Sequence, residues 1–281
     1  MMKDDWFIEE YKDQVGALSF RVEELLFEGK SPYQDIKVVY NPFFGNIMLL
    51  DDLVMLTEKD EFFYHDMLVH VPMVSAANPE QVLIIGGGDG CSVREALKHK
   101  SVNRVVLCEI DEMVINVARE YFPGLASMLN DQRVEIRVGD GIEYTKSLQS
   151  EFDCILIDST DPIGPAVGLF TIEFYANVRD ALREGGVMSA QTESPAWRLE
   201  DVAVIRSNIE KAFGNAHLYL CPIPCYPSGL WSFTLSFKAH GKDPLVFDME
   251  RANAVAGDCT YYNPEVHKAA FALPNFIRKA L

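Results

Sequence analysis

The chain has 281 residues, 48% of them hydrophobic and 24% charged, which is enough to bury a full core and argues against a disordered chain. With 42 acidic against 25 basic residues the formal charge is -17, which opposes phosphate backbones and anionic lipid and excludes nucleic acid and membrane surfaces as expected partners. No stretch reaches the roughly 18–20 apolar residues of a membrane span. The acidic start Met1-Met2-Lys3-Asp4-Asp5-Trp6 leads into no apolar signal core, so a cytoplasmic location is expected.

Residues 1–57 read as a small antiparallel β domain. Strand-like runs occur at Ser19–Val22, Ile36–Tyr40 and Ile47–Leu50, with Asn41-Pro42 and Phe44-Gly45-Asn46 supplying turns between the last two. Residues 58–281 read as a second, larger domain. It opens with a helix from Glu58 to about His70, stopped by Pro72. After Asn78-Pro79 strands and helices alternate: strand 81–85, helix 92–98, strand 104–110, helix 112–121, and strands 134–138 and 152–157. That rhythm predicts an α/β fold, a Rossmann-like doubly wound sheet, with ligands at the carboxyl ends of the strands. The six cysteines contain no CxxC pair and are expected as free, mostly buried thiols. Cys221 and Cys225 lie among Pro222 and Pro224 without a second ligand pair, so no metal site is expected.

The first strand of the alternating region runs into Gly86-Gly87-Gly88-Asp89-Gly90, where missing side chains let backbone approach a ligand, and Ser92-Val93-Arg94-Glu95 fits a capping box for the next helix. Glu109 ends the second strand, 19 residues past Gly90, where an acid typically holds ribose hydroxyls. Asp111 is the better cap for the following helix, which frees Glu109 for a ligand. Asp140-Gly141 ends the third strand and can read adenine through a carboxylate and a backbone amide. A dinucleotide would set its pyrophosphate against Asp89, and the third glycine of its fingerprint would fall on Cys91. Both details favour an S-adenosyl compound, which carries a sulfonium and an amine.

Past the fourth strand comes Asp158-Ser159-Thr160-Asp161-Pro162-Ile163-Gly164-Pro165, two carboxylates three residues apart before a loop rich in proline and glycine. Beside Asp89 this pair suits cations. The chain resembles the spermidine synthases, polyamine aminopropyltransferases, over nearly its whole length. The segments that carry the resemblance are Tyr64-His65-Asp66-Met67, the glycine turn, Glu109-Ile110-Asp111, Gly139-Asp140-Gly141, Asp158 to Pro165, Ile223-Pro224-Cys225-Tyr226-Pro227-Ser228-Gly229, Tyr261-Tyr262-Asn263-Pro264 and Ala269 to Pro274.

The resemblance implies an amino-terminal β domain, a catalytic domain of the methyltransferase type, and a homodimer or homotetramer with no prosthetic group. It implies decarboxylated S-adenosylmethionine as co-substrate and putrescine as acceptor, giving spermidine and methylthioadenosine. Gln34, Gly86, Gly88, Asp89, Glu109, Asp140, Gly141 and Pro165 are then expected around the donor. Tyr64, His65, Asp89, Asp158, Asp161, Gln191, Tyr226 and Trp231 are expected around the aminopropyl group and the diamine. The attacking amine must first lose a proton. An ordinary aspartate is a weaker base than an alkylamine by about 6 pH units, roughly 8 kcal/mol, a gap that burial narrows from both sides. Asp158 is the expected proton acceptor. Asp161 would hold the diamine, and Asp89 the donor's amine while repelling the carboxylate of undecarboxylated S-adenosylmethionine.

Three departures mark the chain. Cys225 replaces the usual threonine, and Asp66 the usual glutamate. The position near Val204 or Ile205 lacks the carboxylate that grips the distal diamine nitrogen in some relatives, with Glu200 and Asp201 as substitutes. Spermidine, cadaverine and agmatine therefore stay open as acceptors. A methyltransferase and a non-catalytic nucleoside-binding protein are the competing readings.

Overall fold

The structure, a computed structural model, describes residues 2–3, 5–10, 16–162 and 164–281; the side chains of Met2, Lys3 and Pro165 lie outside the described residues. Three strands, β1 (Met2–Lys3), β2 (Trp6–Glu10) and β3 (Ala17–Arg21), form one antiparallel sheet. A second is the meander β4 (Glu24–Lys30), β5 (Asp35–Asn41), β6 (Gly45–Leu50) and β7 (Leu53–Thr57). Asp51 and Asp52 close the β6–β7 hairpin with φ of 50° and 59°, the left-handed pair that matches the twist of a two-residue turn.

α1 (Glu61–Ser75) follows, and it runs on past Pro72, where the sequence predicts a stop. Every residue from Tyr64 to Val74 is buried. Packing on all sides holds the last turn, and the Pro72 carbonyl still accepts Ala76 N at 2.9 Å.

The large sheet has seven strands in the order β10-β9-β8-β11-β12-β14-β13. Here β8 is Gln81–Gly86, β9 Arg104–Glu109, β10 Val134–Val138, β11 Phe152–Asp158, β12 Leu182–Gln191, β13 His217–Pro222 and β14 Leu230–Phe237. The first five in that order are parallel, and β14 and β13 are antiparallel additions. Helices α2 (Cys91–Leu97), α3 (Glu112–Tyr121), α4 (Gly141–Thr145), α5 (Ile172–Ala181) and α6 (Leu199–Phe213) connect the strands, and α7 (Met249–Ala256), α8 (Pro264–Ala270) and α9 (Asn275–Arg278) end the chain.

Alternation along β8 explains why its run is apolar throughout. Val82 and Ile84 enter the core on one face, while Leu83 and Ile85 enter the core on the other. The chain order reverses at β8, which pairs with β9 on one side and β11 on the other. A crevice opens at that switch point beyond the strands' carboxyl ends. No described helix is long and apolar enough to cross a membrane. All six cysteines are free, five of them buried.

Candidate active site

At the switch point lies a cleft of about 1360 Å³, open solvent at its mouth included, roofed by Gln34, Met48, Leu50, Leu53 and Met55 from the second antiparallel sheet. Its floor is the glycine turn. Asp158 is opposite Gly86 in the parallel register, so a Cβ on Gly86 would stand 2.1 Å from the Asp158 carbonyl, and Gly86 and Gly87 take φ of 81° and 68°. Here glycine is required by the neighbouring strand as much as by a ligand. On Gly88 a Cβ would meet Glu109 Cγ at 2.9 Å, which keeps the turn in contact with that acid.

The predicted capping box does not form. α2 opens at Cys91 from Gly90, which has no side chain to cap with; Asp89 Oδ1 accepts Cys91 N at 2.7 Å instead. Ser92 Oγ donates to Asp158 Oδ2 at 2.6 Å, and Glu95 bonds His70 and Arg94. Both members of the expected box face tertiary partners, and those bonds are stronger than an exposed cap would be.

At one end of the cleft Glu109 Oε1 accepts Asp111 N at 2.8 Å and Oε2 accepts Gly88 N at 3.2 Å. Burial pushes its carboxyl up to about 7, with the charges of Asp111 and Asp89 adding to the shift and the two backbone donors opposing it. Asp111 caps α3 through Oδ1 to Met113 N at 3.0 Å, as expected. Its other oxygen receives Ser31 Oγ at 2.6 Å and Gln34 Nε2 at 3.0 Å. Gln34 thus lines the cleft with its amide tied to a neighbour. Asp140 caps α4, accepting Ile142 N at 2.8 Å, and lines the cleft mouth with Gly141.

In the middle stand Asp89, Asp158, His65 and Tyr64. Burial raises the Asp158 carboxyl, and the negative charge of Asp89 raises it further, while His65, Ser92 and the Tyr64 hydroxyl, which hydrogen-bonds it, act in the opposite direction. Tyr64 packs edge-on to Tyr226, ring centroids 5.9 Å apart. Tyr226 Oη donates to the Met55 carbonyl at 2.6 Å, pinning the loop after β13 to the roof.

The far end contains what the sequence reading missed. Asp161 lines the cleft, and a side-chain hydrogen bond joins it to Glu193. Glu193 is buried, holds a left-handed φ of 71°, and has its carboxyl pushed up to about 8 by burial and by the charge of Asp161. Glu9 of β2, accepting Val54 N at 2.9 Å, is pushed up to about 7, by burial first and by Asp161 as well. Glu193 lies two residues past Gln191, the only sequence signal for it; Glu9 carried none.

Gln191 and Trp231 are not in the cleft wall. Gln191 Nε2 donates to the Thr160 carbonyl at 3.2 Å, steadying the loop that carries Asp161, and Trp231 backs Tyr226 at 4.8 Å between centroids. Asp201 pairs with Arg198 at 2.7 Å, and neither it nor Glu200 lines the cleft. The Pro165 side chain lies outside the described residues. Asp66, His70, Glu95 and Cys259 cluster within metal-binding reach, but Asp66 Oδ2 already accepts three backbone N–H groups and Glu95 faces both Lys98 and Arg94. That donor set is a satisfied ion network.

Known proteins of similar sequence and fold identify the family. The family model for the spermine/spermidine synthase domain matches residues 61–247, and that for the spermidine synthase tetramerisation domain matches residues 5–58. A polyamine aminopropyltransferase of Moorella thermoacetica is 47% identical over 280 residues, covering 100% of this chain and 97% of the relative. One of Bacillus mycoides is 44% identical over 272 residues, 97% of each chain. Among solved structures, a spermidine synthase in complex with the transition-state analogue AdoDATO superposes with a TM-score of 0.96 at 44% identity, covering 100% of this chain and 96% of that one. The spermidine synthase of Thermotoga maritima gives 0.93 at 44% identity, covering 98% and 94%. The chain belongs to the spermine/spermidine synthase family. Its fold is the expected one, an α/β doubly wound sheet preceded by small antiparallel sheets.

Proposed function

We propose that the chain is a spermidine synthase, moving the aminopropyl group of decarboxylated S-adenosylmethionine onto putrescine. The observation that carries this reading is one continuous cleft with acids in three places: Glu109 and Asp140 at one end, Asp89 and Asp158 in the middle, and at the other Asp161, with Glu193 hydrogen-bonded to it from behind the cleft wall. The adenosyl end takes ribose hydroxyls on Glu109. Asp89 holds the donor's ammonium. Asp158 accepts a proton from the near ammonium of the diamine, and the freed amine attacks the carbon beside the sulfonium. The carbon–sulfur bond breaks, the electron pair leaves on sulfur as a neutral thioether, and the product carries its charge on nitrogen. Burial assists the proton step, because it raises the acid and lowers the amine. Asp161 and Glu193, with Glu9 behind them, hold the distal ammonium, the role for which Glu200 and Asp201 were expected. The rings of Tyr64 and Tyr226 flank the methylenes and the cations.

The N-terminal segment to Thr57 roofs the cleft and is also proposed as the assembly surface of a homotetramer. The deciding experiment incubates the purified chain with putrescine and either decarboxylated or intact S-adenosylmethionine. Methylthioadenosine from the decarboxylated donor alone is the expected product; adenosylhomocysteine from the intact donor overturns the reading in favour of methyl transfer. Running cadaverine, agmatine and spermidine beside putrescine fixes the acceptor.

A further inference from the structure

A buried line of ionised groups leads away from the cleft through α1 and α2. His65 Nδ1 lies 2.8 Å from Glu61 Oε2 and 2.9 Å from the Glu61 carbonyl, and its Nε2 stands 3.7 Å from Asp89 Oδ1. Oxygens of that kind only accept, so Nδ1 carries a hydrogen in every charge state of the ring. A neutral ring would then turn the lone pair of Nε2 toward the Asp89 carboxylate. A second proton there converts repulsion into attraction. Behind His65, Arg94 Nη2 grips both oxygens of Glu61, at 2.8 and 3.0 Å, and Arg94 Nε bonds Glu95 at 2.8 Å. Glu61 and His65 are each less than a tenth exposed.

We propose that Glu61 is a positioning residue for the reaction: it keeps His65 an imidazolium aimed at Asp89 and Asp158, and that buried cation keeps Asp158 ionised and ready to accept a proton. The proposal rests on the aminopropyl transfer described above. Asp158 otherwise faces burial and a second carboxylate, both of which favour its premature protonation. The groups facing His65 are Glu61 and Tyr64 on α1, Asp89 on the glycine turn, Cys91 and Arg94 on α2, and Asp158 at the end of β11. Cys91 is held as a neutral thiol by burial and by its acidic neighbours. Burial opposes charge on the imidazole, yet Glu61, Asp89 and Asp158 together raise it to about 9. Burial likewise acts to raise Glu61, and His65 with Arg94 outweighs it, holding that carboxyl below the usual range.

The test is nitrogen NMR of the imidazoles in the full chain, His65 being assigned against a His65→Gln variant, together with kcat–pH profiles. The expected result is a doubly protonated His65 at pH 7.5, with a lower titration point in Glu61→Gln. The acid limb of kcat should move up by about 1 pH unit in Glu61→Gln, as expected for loss of a nearby opposite charge. His65→Gln should give the same shift, and the double variant no further one. A neutral His65 at pH 7.5 in the unsubstituted, active chain overturns the proposal without any variant needing to fold. Additive shifts in the double variant overturn it too, since Glu61 would then act independently of His65. A chain that makes no methylthioadenosine overturns the reaction and the role in it together, whereas an active chain with a neutral His65 overturns the role alone.

Discussion

Replacing Glu193 by glutamine separates the far acids from the chemistry. The change keeps the side chain's shape and leaves the left-handed backbone at φ 71° as it was, so only charge is removed. A hydrogen bond between a carboxylate and an ammonium contributes about 1.5–3 kcal/mol, or about 10- to 100-fold in affinity. At pH 8.5 most of that is available, because the Glu193 carboxyl, pushed up to about 8, is largely ionised. At pH 7 only about one site in ten is ionised before the diamine arrives, which removes about 1.4 kcal/mol of the benefit. Glu193→Gln should therefore raise the KM for putrescine about 10- to 100-fold at pH 8.5 and about tenfold less than that at pH 7. The assay is the initial rate of methylthioadenosine release at saturating donor, with 1-aminobutane as the control acceptor that lacks the distal nitrogen. Its KM should not move. Equal losses for both amines, or an equal loss at both pH values, would refute the assignment.

Other substitutions probe the rest of the cleft. Asp158→Asn should lower kcat by about 10²- to 10⁴-fold with KM for both substrates within a few-fold, and near-normal turnover would remove the proton-acceptor role. Glu109→Gln should raise the donor KM by about tenfold or more through weakened ribose hydrogen bonds. In the unsubstituted chain the donor KM should rise as pH falls through about 7, where Glu109 takes up its proton, and the variant should show no such rise. Asp66→Asn weakens a buried carboxylate that accepts Thr260, Tyr261 and Tyr262 N at 3.1, 2.7 and 3.0 Å. A loss of about 2–3 kcal/mol, about 3–5 °C in Tm, should accompany it, together with faster proteolytic release of the C-terminal segment; an unchanged Tm argues against that anchor.

How far the sequence could be read depended on how local each signal was. The β8 run is legible because a strand buried on both faces needs apolar residues at every position. Glu109 and Asp111 are legible because one residue type at a strand end and another at a helix start do different local work. Ser92 and Glu95 show the opposite case: their spacing fits a cap, but Asp158 and His70 approach from other elements and take their bonds. Pro72 predicts a stop, and burial of the residues from Tyr64 to Val74 overrides it. Glu193 depends on a left-handed backbone and on Asp161 from another loop, and Glu9 arrives from a strand 152 residues before Asp161. Neither relation is written in a local pattern. Gln191 and Trp231 were drawn into the site by motif and stand one layer behind it, supporting Thr160 and Tyr226.

The acids of the cleft also bear on how substrate binding is linked to protons. Glu9, Glu109, Asp158, Asp161 and Glu193 are all raised by burial, and each also faces another acid: Asp161 for Glu9 and Glu193, Asp89 for Glu109 and Asp158, and Asp201 for Asp161. A hydrogen bond between the Asp161 and Glu193 carboxyls requires a proton between them. A diamine that brings its own ammonium to that pair makes the proton redundant. Binding should therefore release protons, and most strongly near pH 7, where the far pair is still largely protonated and the incoming amine is fully charged. Calorimetric titration of putrescine into the chain saturated with methylthioadenosine, repeated in buffers of different ionisation enthalpy, reads that number directly. About one proton released at pH 7, falling toward zero at pH 9 and in Glu193→Gln, is the expected pattern. A release independent of both pH and Glu193 would mean that the distal ammonium is held elsewhere, and that the far acids serve the fold and not the substrate.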